Sequence, residues 1–368
     1  MKVALLSDCY PPRTGGIESQ VSDLATELHR AGHAVEVFTA TPGARGGHGG
    51  AVEVVDGIRV HRMALRLPGG LPVNPLAPPE VRERLRQGGF DAAHVHLGVV
   101  SPFAWDMARV TTDLGLPTAL TFHCVLDRAA PALRPMLRAW TRRGAVLSAV
   151  SGFAAEGVRR AAPGEPVAVL PNGVDPQAWP VGQARPAARP VTVVTATRLA
   201  PRKRVVALLR VISAAVERLG PGALTLEVYG DGPLRPLLER RIDALGLRDV
   251  VTLRGRVPRS DLALAYREAD AYLSPTRLEA FGIAALEART AGLPVIARAD
   301  SGVREVVTDG LSGLLASDDD GLVDALVRLA ADATLRTRLA HHNVTTPPVQ
   351  TWDRVVGLAR AEYRRAGA

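Results

Sequence analysis

Two carboxylates, Glu279 and Glu287, frame the segment EAFGIAALE. Glu279 falls in a loop after an apolar run, and Gly282 frees the backbone where a helix begins. Unsatisfied N–H groups at a helix start favour anions and polar groups. Glu287 falls about a turn and a half into that helix, so the pair reaches polar groups at two depths. A carboxylate accepts two hydroxyl hydrogen bonds, which suits a vicinal diol. The same spacing also fits a capping loop followed by an ordinary helical Glu.

A second set is cationic. Arg198 and Lys203 stand in TRLAPRKR, directly after an apolar strand run. Arg binds phosphate oxygens in a fork and Lys binds as a point charge, so the two suit a diphosphate. A solvated basic loop would read the same way. Against that, Lys2 and Lys203 are the only lysines among 45 basic residues, so an internal lysine in a chain that otherwise writes Arg points to a need for a compact ammonium.

Near the start, Gly15-Gly16 lies between a strand and the helix beginning at Glu18. Glycines there let a ligand approach the backbone, and the helix start favours an anion. The spacing is not GxGxxG, and a plain tight turn fits equally. His123 ends the strand TALTFH, and His94 and His96 alternate in AHVH, so those two share a face. No carboxylate spacing accompanies the three histidines. Hydrogen bonding to substrate or backbone is expected of them rather than metal binding.

The elements that must position these residues alternate β and α. Strands are expected at Lys2–Ser7, Ala34–Thr39, within Val52–Arg62, and at Ala92–His96, Thr118–Phe122, Ala145–Val150 and Val167–Leu170. Proline-rich PQAWPVGQARPAARP then breaks the pattern. Alternation resumes at Val191–Thr197 and continues to a helix at Leu335–Asn343. A last helix, Thr351–Arg365, follows Pro347-Pro348. This predicts an α/β fold of two doubly wound, parallel-sheet domains at 1–178 and 191–346, with a linker at 179–190 and a terminal helical segment at 347–368. Ligands of such sheets bind at the carboxyl ends of strands, here in a cleft between two halves.

Composition narrows the function. The 368 residues are 47% hydrophobic and 22% charged, which is ordinary for a globular protein. A net charge of +8 fits anionic partners. Only 4% of residues are aromatic, so stacking platforms for single-stranded nucleic acid are scarce, and no recognisable nucleic-acid module is present. Cys9 and Cys124 form no CxxC pair. No apolar run is long enough to span a membrane, so a cytoplasmic protein is expected, with at most peripheral contact at the inner face of the cell membrane. One segment suits such contact. In Leu133–Arg143 a helical wheel puts Leu133, Met136, Leu137 and Trp140 on one face and Arg134, Arg138 and Arg142 on another. It reads either as a surface helix on an anionic membrane or as a helix packed on its own sheet.

Together the motifs resemble glycosyltransferase family 4, the retaining type built on two facing Rossmann-like domains (the GT-B architecture). The resemblance covers nearly the whole chain: PPRTGGIESQV, TFH, VLPNGVD, TRLAPRKR, YGDGPL, LRGRV, SPTRLEAFGIAALEARTAGLPVIA and SGVREVVTDGLSGLL. Within the family, the chain is most similar to the phosphatidylinositol mannosyltransferases, and nearly as similar to the acetylglucosaminyl-phosphatidylinositol enzymes.

The resemblance implies an N-terminal acceptor domain, a C-terminal donor domain and a final helix crossing back to the first. It implies His123, Arg198, Lys203 and Glu279 as catalytic residues. Arg198 and Lys203 would hold the donor diphosphate, and Gly16 would approach the phosphate. Glu287 would bind the ribose. Glu279, with the amides of Phe281 and Gly282, would hold the donor sugar, and His123 would touch it near the reacting carbon. Arg254 and Val257 would lie beside the base. Two departures stand out: Ala280 and Ser301-Gly302 occupy positions where the family usually carries glycine.

The activity so implied is metal-independent, retaining transfer of a hexose from a nucleoside-diphosphate sugar to a hydroxyl acceptor, with no cofactor. GDP-mannose and a lipid or glycolipid acceptor lead. The alternatives are a UDP-sugar (GlcNAc or glucose) transferase with a soluble acceptor, and a nucleotide-sugar epimerase of similar architecture. A phosphorylase would need Lys203 for pyridoxal phosphate, and a glycosidase would need two carboxylates flanking one bond.

Overall fold

Runs of Val, Leu and Ala with no polar alternation make strands that are buried on both faces, and such strands belong inside parallel sheets. β1 (Lys2–Ser7) is the example, buried from Val3 onward. The computed structural model describes all 368 residues except 45, 48, 66–72, 128–129 and 183–189. These form two compact units. The first comprises Met1–Gly173 with Trp352–Ala368, the second Val174–Thr351.

In the first unit β1 leads into α1 (Gly16–Arg30), β2 (Ala34–Thr39), β3 (Ala51–Val55), β4 (Ile58–Arg62), α2 (Ala77–Gly88), β5 (Ala92–Leu97) and α3 (Pro102–Asp113). β6 (Thr118–Phe122), α4 (Ala130–Thr141), β7 (Val146–Ala149), α5 (Gly152–Ala161) and β8 (Val167–Val169) complete it. The eight strands lie in the order β3-β4-β2-β1-β5-β6-β7-β8. All neighbours are parallel except β3 and β4, which pair antiparallel through Val54↔Arg59. Chain order reverses between β1 and β5, where Leu5 registers with His94. That is the switch point at which a doubly wound sheet opens a binding crevice. α1 buries Val21, Leu24, Ala25 and Leu28, the face expected of it, but begins at Gly16, two residues before Glu18.

The second unit repeats the plan with β9 (Val191–Ala196), α6 (Val205–Leu219), β10 (Leu224–Tyr229), α7 (Arg235–Ala244), β11 (Val251–Gly255), α8 (Arg259–Arg267) and β12 (Ala271–Ser274). Then come α9 (Ile283–Thr290), β13 (Val295–Arg298), β14 (Gly313–Ala316), α10 (Asp319–Ala331) and α11 (Ala333–Thr345). Its six strands run β11-β10-β9-β12-β13-β14, all parallel, with the switch between β9 and β12. Between β13 and β14, Gly302–Glu305 forms a 3-10 turn.

The last helix, α12 (Trp352–Arg365), packs in the first unit, where Trp352, Val355, Val356, Ala359 and Tyr363 join a core with Val3, Leu5, Val37 and Val60. The first unit closes at Gly173 rather than at 178. Val174 pairs with Thr351, and its N–H donates to the Gln350 carbonyl at 2.9 Å. Trp179 is buried against Tyr266, with ring centroids 5.3 Å apart, so the start of the expected linker is packed second-unit structure. The rest of that linker, 183–189, lies outside the described residues.

Candidate active site

On the second unit the loops after β9 and β12, the two strands at the switch point, carry the expected residues. The Lys203 ammonium donates to Glu279 Oε2 at 2.5 Å, so the structure brings together the cation and the carboxylate that frame these loops. Both side chains are about one-fifth exposed, accessible but not fully hydrated. Arg198 is exposed at the end of β9, and among the described residues its guanidinium has no ion pair.

The turn after Glu279 is built for close approach. Gly282 has φ 94°, a left-handed value that suits glycine, and starts α9 with no side-chain cap. The uncapped amides and the helix dipole make this end electropositive. Phe281 is buried beneath it. The Gly302 N–H donates to the Glu279 carbonyl at 2.7 Å. A Cβ on Gly302 would stand 2.1 Å from the Ala280 carbonyl oxygen, so only glycine fits there. Ser301, where the family usually has glycine, bonds the Arg298 carbonyl at 2.7 Å and caps the 3-10 turn. The loops after β9 and β10 also touch backbone to backbone, since a Cβ on Gly230 would lie 2.0 Å from the Thr197 oxygen.

Glu287 is buried in α9 and pairs with Arg259 at 2.9 Å. The Arg259 guanidinium lies 5.5 Å from the centre of the Trp179 ring. Arg254 bonds Glu227 at 2.5 Å, and the Tyr229 hydroxyl donates to the same carboxylate at 2.6 Å. Burial raises the Glu227 acid, but these two bonds outweigh it and hold the group below the usual carboxylate range. Val257 is half-buried two residues beyond β11.

Behind Lys203 lies a network that the sequence does not announce. Arg204 grips both Asp319 oxygens at 2.8 Å and donates to the Pro275 carbonyl at 3.1 Å. Arg298 reaches Asp319 at 3.5 Å and Asp300 at 2.9 Å, and Arg277 also holds Asp300 at 3.1 Å. The Arg204 hydrogen bonds lower the Asp319 acid. The only visible signal was the density of arginines and the run Asp318–Asp320.

On the first unit, Gly16 is exposed as the opening residue of α1. A carboxylate already stands at this helix start: a Cβ on Gly15 would lie 2.4 Å from Glu18 Oε2, and Glu18 pairs with Arg13 at 3.2 Å. At the β1 switch-point end, the buried Asp8 carboxylate accepts from the amides of Phe103 and Ala104 at 3.1 Å. Burial nevertheless pushes its pKa up to about 6.

His94 and His96 do share a face, with ring centroids 4.1 Å apart, and His123 lies beside His96. His96 Nδ1 and His123 Nε2 are 3.0 Å apart, His94 Nε2 is 2.7 Å from the Thr121 hydroxyl, and His94 Nδ1 is 3.0 Å from the Tyr363 hydroxyl of α12. Burial holds His94 down to about 3 and His123 down to about 4, and lowers His96 strongly, so all three rings are neutral at pH 7. Among the described residues no three His, Cys, Asp or Glu side chains converge as metal ligands.

The α4 segment resolves its two readings. Leu133, Leu137 and Trp140 are buried in the unit's own fold, Met136 is half-buried, and Arg134, Arg138 and Arg142 face solvent. Its apolar face is therefore not free to enter a bilayer. Among the described residues, no helix is long and apolar enough to cross a membrane.

The chain matches known proteins along most of its length. Residues 14–178 match the model described as Glycosyltransferase Family 4, and residues 183–343 the model Glycosyl transferases group 1. A D-inositol 3-phosphate glycosyltransferase of Xylanimonas cellulosilytica is 30% identical, over 96% of this chain and 92% of its own. The chain therefore belongs to glycosyltransferase family 4, and it is a glycosyltransferase. A GDP-mannose-dependent alpha-(1-6)-phosphatidylinositol monomannoside mannosyltransferase of Mycolicibacterium smegmatis is 29% identical, over 91% and 90% of the two chains. Among solved structures, sucrose-phosphate synthase from Thermosynechococcus elongatus superposes with a TM-score of 0.77 at 22% identity, over 99% and 98% of the chains, which establishes the GT-B fold.

Proposed function

We propose that this chain moves a hexose, with retained anomeric configuration, from a nucleoside-diphosphate sugar to a hydroxyl of an inositol-bearing acceptor. The observation that carries the donor half is the Lys203–Glu279 pair below the uncapped start of α9. An arriving diphosphate competes for Lys203, with Arg198 as the second cation, and neutralises charge that builds as the leaving group departs. Glu279, released from Lys203, accepts sugar hydroxyls together with the amides of Phe281 and Gly282. Glu287 takes the ribose diol in exchange for Arg259, and Arg254 and Val257 border the base.

The bond between the anomeric carbon and the diphosphate oxygen breaks while the acceptor oxygen bonds the same face of that carbon. The acceptor proton passes to the departing phosphate oxygen. Glu279 serves as a hydroxyl acceptor and not as a backside nucleophile, because its partner Lys203 belongs to the diphosphate side. Charge handling by Arg198 and Lys203 makes a metal unnecessary, and EDTA is expected to leave the rate unchanged.

GDP-mannose is the proposed donor, supported by the donor in the name of the mycobacterial relative. An acceptor carrying inositol, free or lipid-linked, is supported by the names of both relatives. Gly16 and His123 of the first unit are assigned to the phosphate and to the transferred sugar. Contact with an anionic membrane would be electrostatic, through Arg134, Arg138 and Arg142, and would disappear at high salt. Thermal shift with GDP, UDP, GDP-mannose and UDP-GlcNAc tests the donor, since stabilisation grows with occupancy. Stabilisation by the uridine set alone would replace GDP-mannose by a UDP-sugar. Loss of none of it in Lys203→Ala would refute the donor site. An inverted product by NMR would refute retention.

A further inference from the structure

Arg204 has φ 53° and ψ 33°, a left-handed backbone at a non-glycine residue. Glycine adopts that shape freely and an L side chain resists it, so a retained strain of this kind calls for a compensating contact. The contact is on the far side of the loop. The Arg204 fork closes on both oxygens of Asp319 at 2.8 Å, and the same guanidinium donates to the Pro275 carbonyl at 3.1 Å. Pro275 opens the loop that carries Glu279. The Thr276 hydroxyl of that loop donates back to the Lys203 carbonyl at 3.4 Å. Asp319 is steadied in turn by Arg298, itself fixed to Asp300 at 2.9 Å.

We propose that Arg204 is a positioning residue for Lys203: it ties the loop after β9 to the loop after β12 and to the start of α10, and so presents the Lys203 ammonium to the donor diphosphate. This rests on the donor-site reading above. A planar fork can hold a carboxylate and a carbonyl together, whereas an ammonium on a flexible stem cannot hold the same geometry. Arg204 acts through its neighbour and makes no contact with the phosphate itself. A fixed loop spares each binding event the ordering of Lys203.

The test is a double-mutant cycle read as affinity for GDP and for UDP by titration calorimetry. Arg204→Gly suits the backbone and removes the fork. Arg204→Lys keeps the charge and loses the planar contacts. Each is expected to weaken the better nucleotide about tenfold, with melting temperatures recorded to confirm folding. In a Lys203→Ala background the same two changes are expected to cost less than twofold, because the ammonium they position is gone. Equal losses in both backgrounds, as a general structural role would give, overturn the proposal. So does full affinity in Arg204→Lys, which would show that charge alone matters. If Lys203→Ala binds both nucleotides as tightly as the unaltered protein, or if neither nucleotide binds that protein, the donor-site reading fails first and this proposal with it.

Discussion

Acidification should weaken the first unit before it affects the second. The cause is the cluster of buried His94 and His96 with half-buried His123, whose folded states hold neutral rings. Unfolded histidine takes a proton near pH 6.5. Below that pH the unfolded chain binds more protons than the folded one, so stability falls as pH falls, down to the folded values of about 3 for His94 and about 4 for His123. Between pH 7 and 5 each of these two withdraws about 2 kcal/mol, about 4 kcal/mol together. His96 adds in the same direction. Asp8 opposes them: its pKa of about 6 means that the folded state gains a proton over the same window, which returns about 1 kcal/mol. The net loss is a large part of a typical domain stability of roughly 5–15 kcal/mol.

The assay is urea unfolding followed by tryptophan fluorescence in a Trp179→Phe background, where Trp105, Trp140 and Trp352 of the first unit report. His94→Gln preserves groups able to meet the Thr121 and Tyr363 hydroxyls but does not titrate. It should reduce the pH 7 to 5 loss by about 2 kcal/mol. An unchanged loss in that variant would show that His94 is not held neutral by its burial and would refute the reasoning.

Further changes probe other parts of the molecule. Gly302→Ala should cut activity more than about tenfold and lower the melting temperature, because its Cβ meets the Ala280 carbonyl and displaces the Glu279 loop. Wild-type rates from this variant would show the loop to be free to yield. Glu279→Gln should lose most transferase activity without accumulating a glycosyl-enzyme, whereas mass detection of a sugar adduct on Glu279 in the unaltered enzyme would establish double displacement. Leu137→Ala should cost about 2–5 kcal/mol in urea unfolding, as for other buried leucines, while Arg138→Glu should stay within about 0.5 kcal/mol. The reverse pattern would mean that α4 does not pack as described.

The repeating β-α plan was legible because parallel strands are continuous apolar runs and their helices carry one apolar face. Lys203 and Glu279 were legible for different reasons: the one as a rare lysine in an arginine-rich chain, the other through the glycine beside it. Their mutual ion pair was not, since pairing between residues 76 apart depends on two loops meeting at a switch point. Arg204, Arg259 and Arg298 stayed hidden among many arginines that look alike in sequence. Only the structure shows Arg204 in a left-handed conformation and Arg298 buried. The α4 wheel gave the right apolar face but not its destination, because amphipathicity alone does not distinguish a sheet from a bilayer as the apolar partner. Asp8 escaped notice because its partners, the amides of Phe103 and Ala104, start a helix in a distant segment.

The crossing of the chain at Gly173 and its return at Trp352 make the second unit an insertion within the first. Domains on a growing chain ordinarily finish in N-to-C order. Here the first unit emerges early yet lacks α12, whose Tyr363 meets His94 and whose Trp352 packs where a Cβ on Gly173 would stand. Synthesis of Val174–Thr351 intervenes, roughly 10–40 s at about 5–20 residues per second. The second unit can therefore complete its own core while the first still waits with an open apolar face over β1, β5 and β6. The unit begun first by the ribosome is the one finished last.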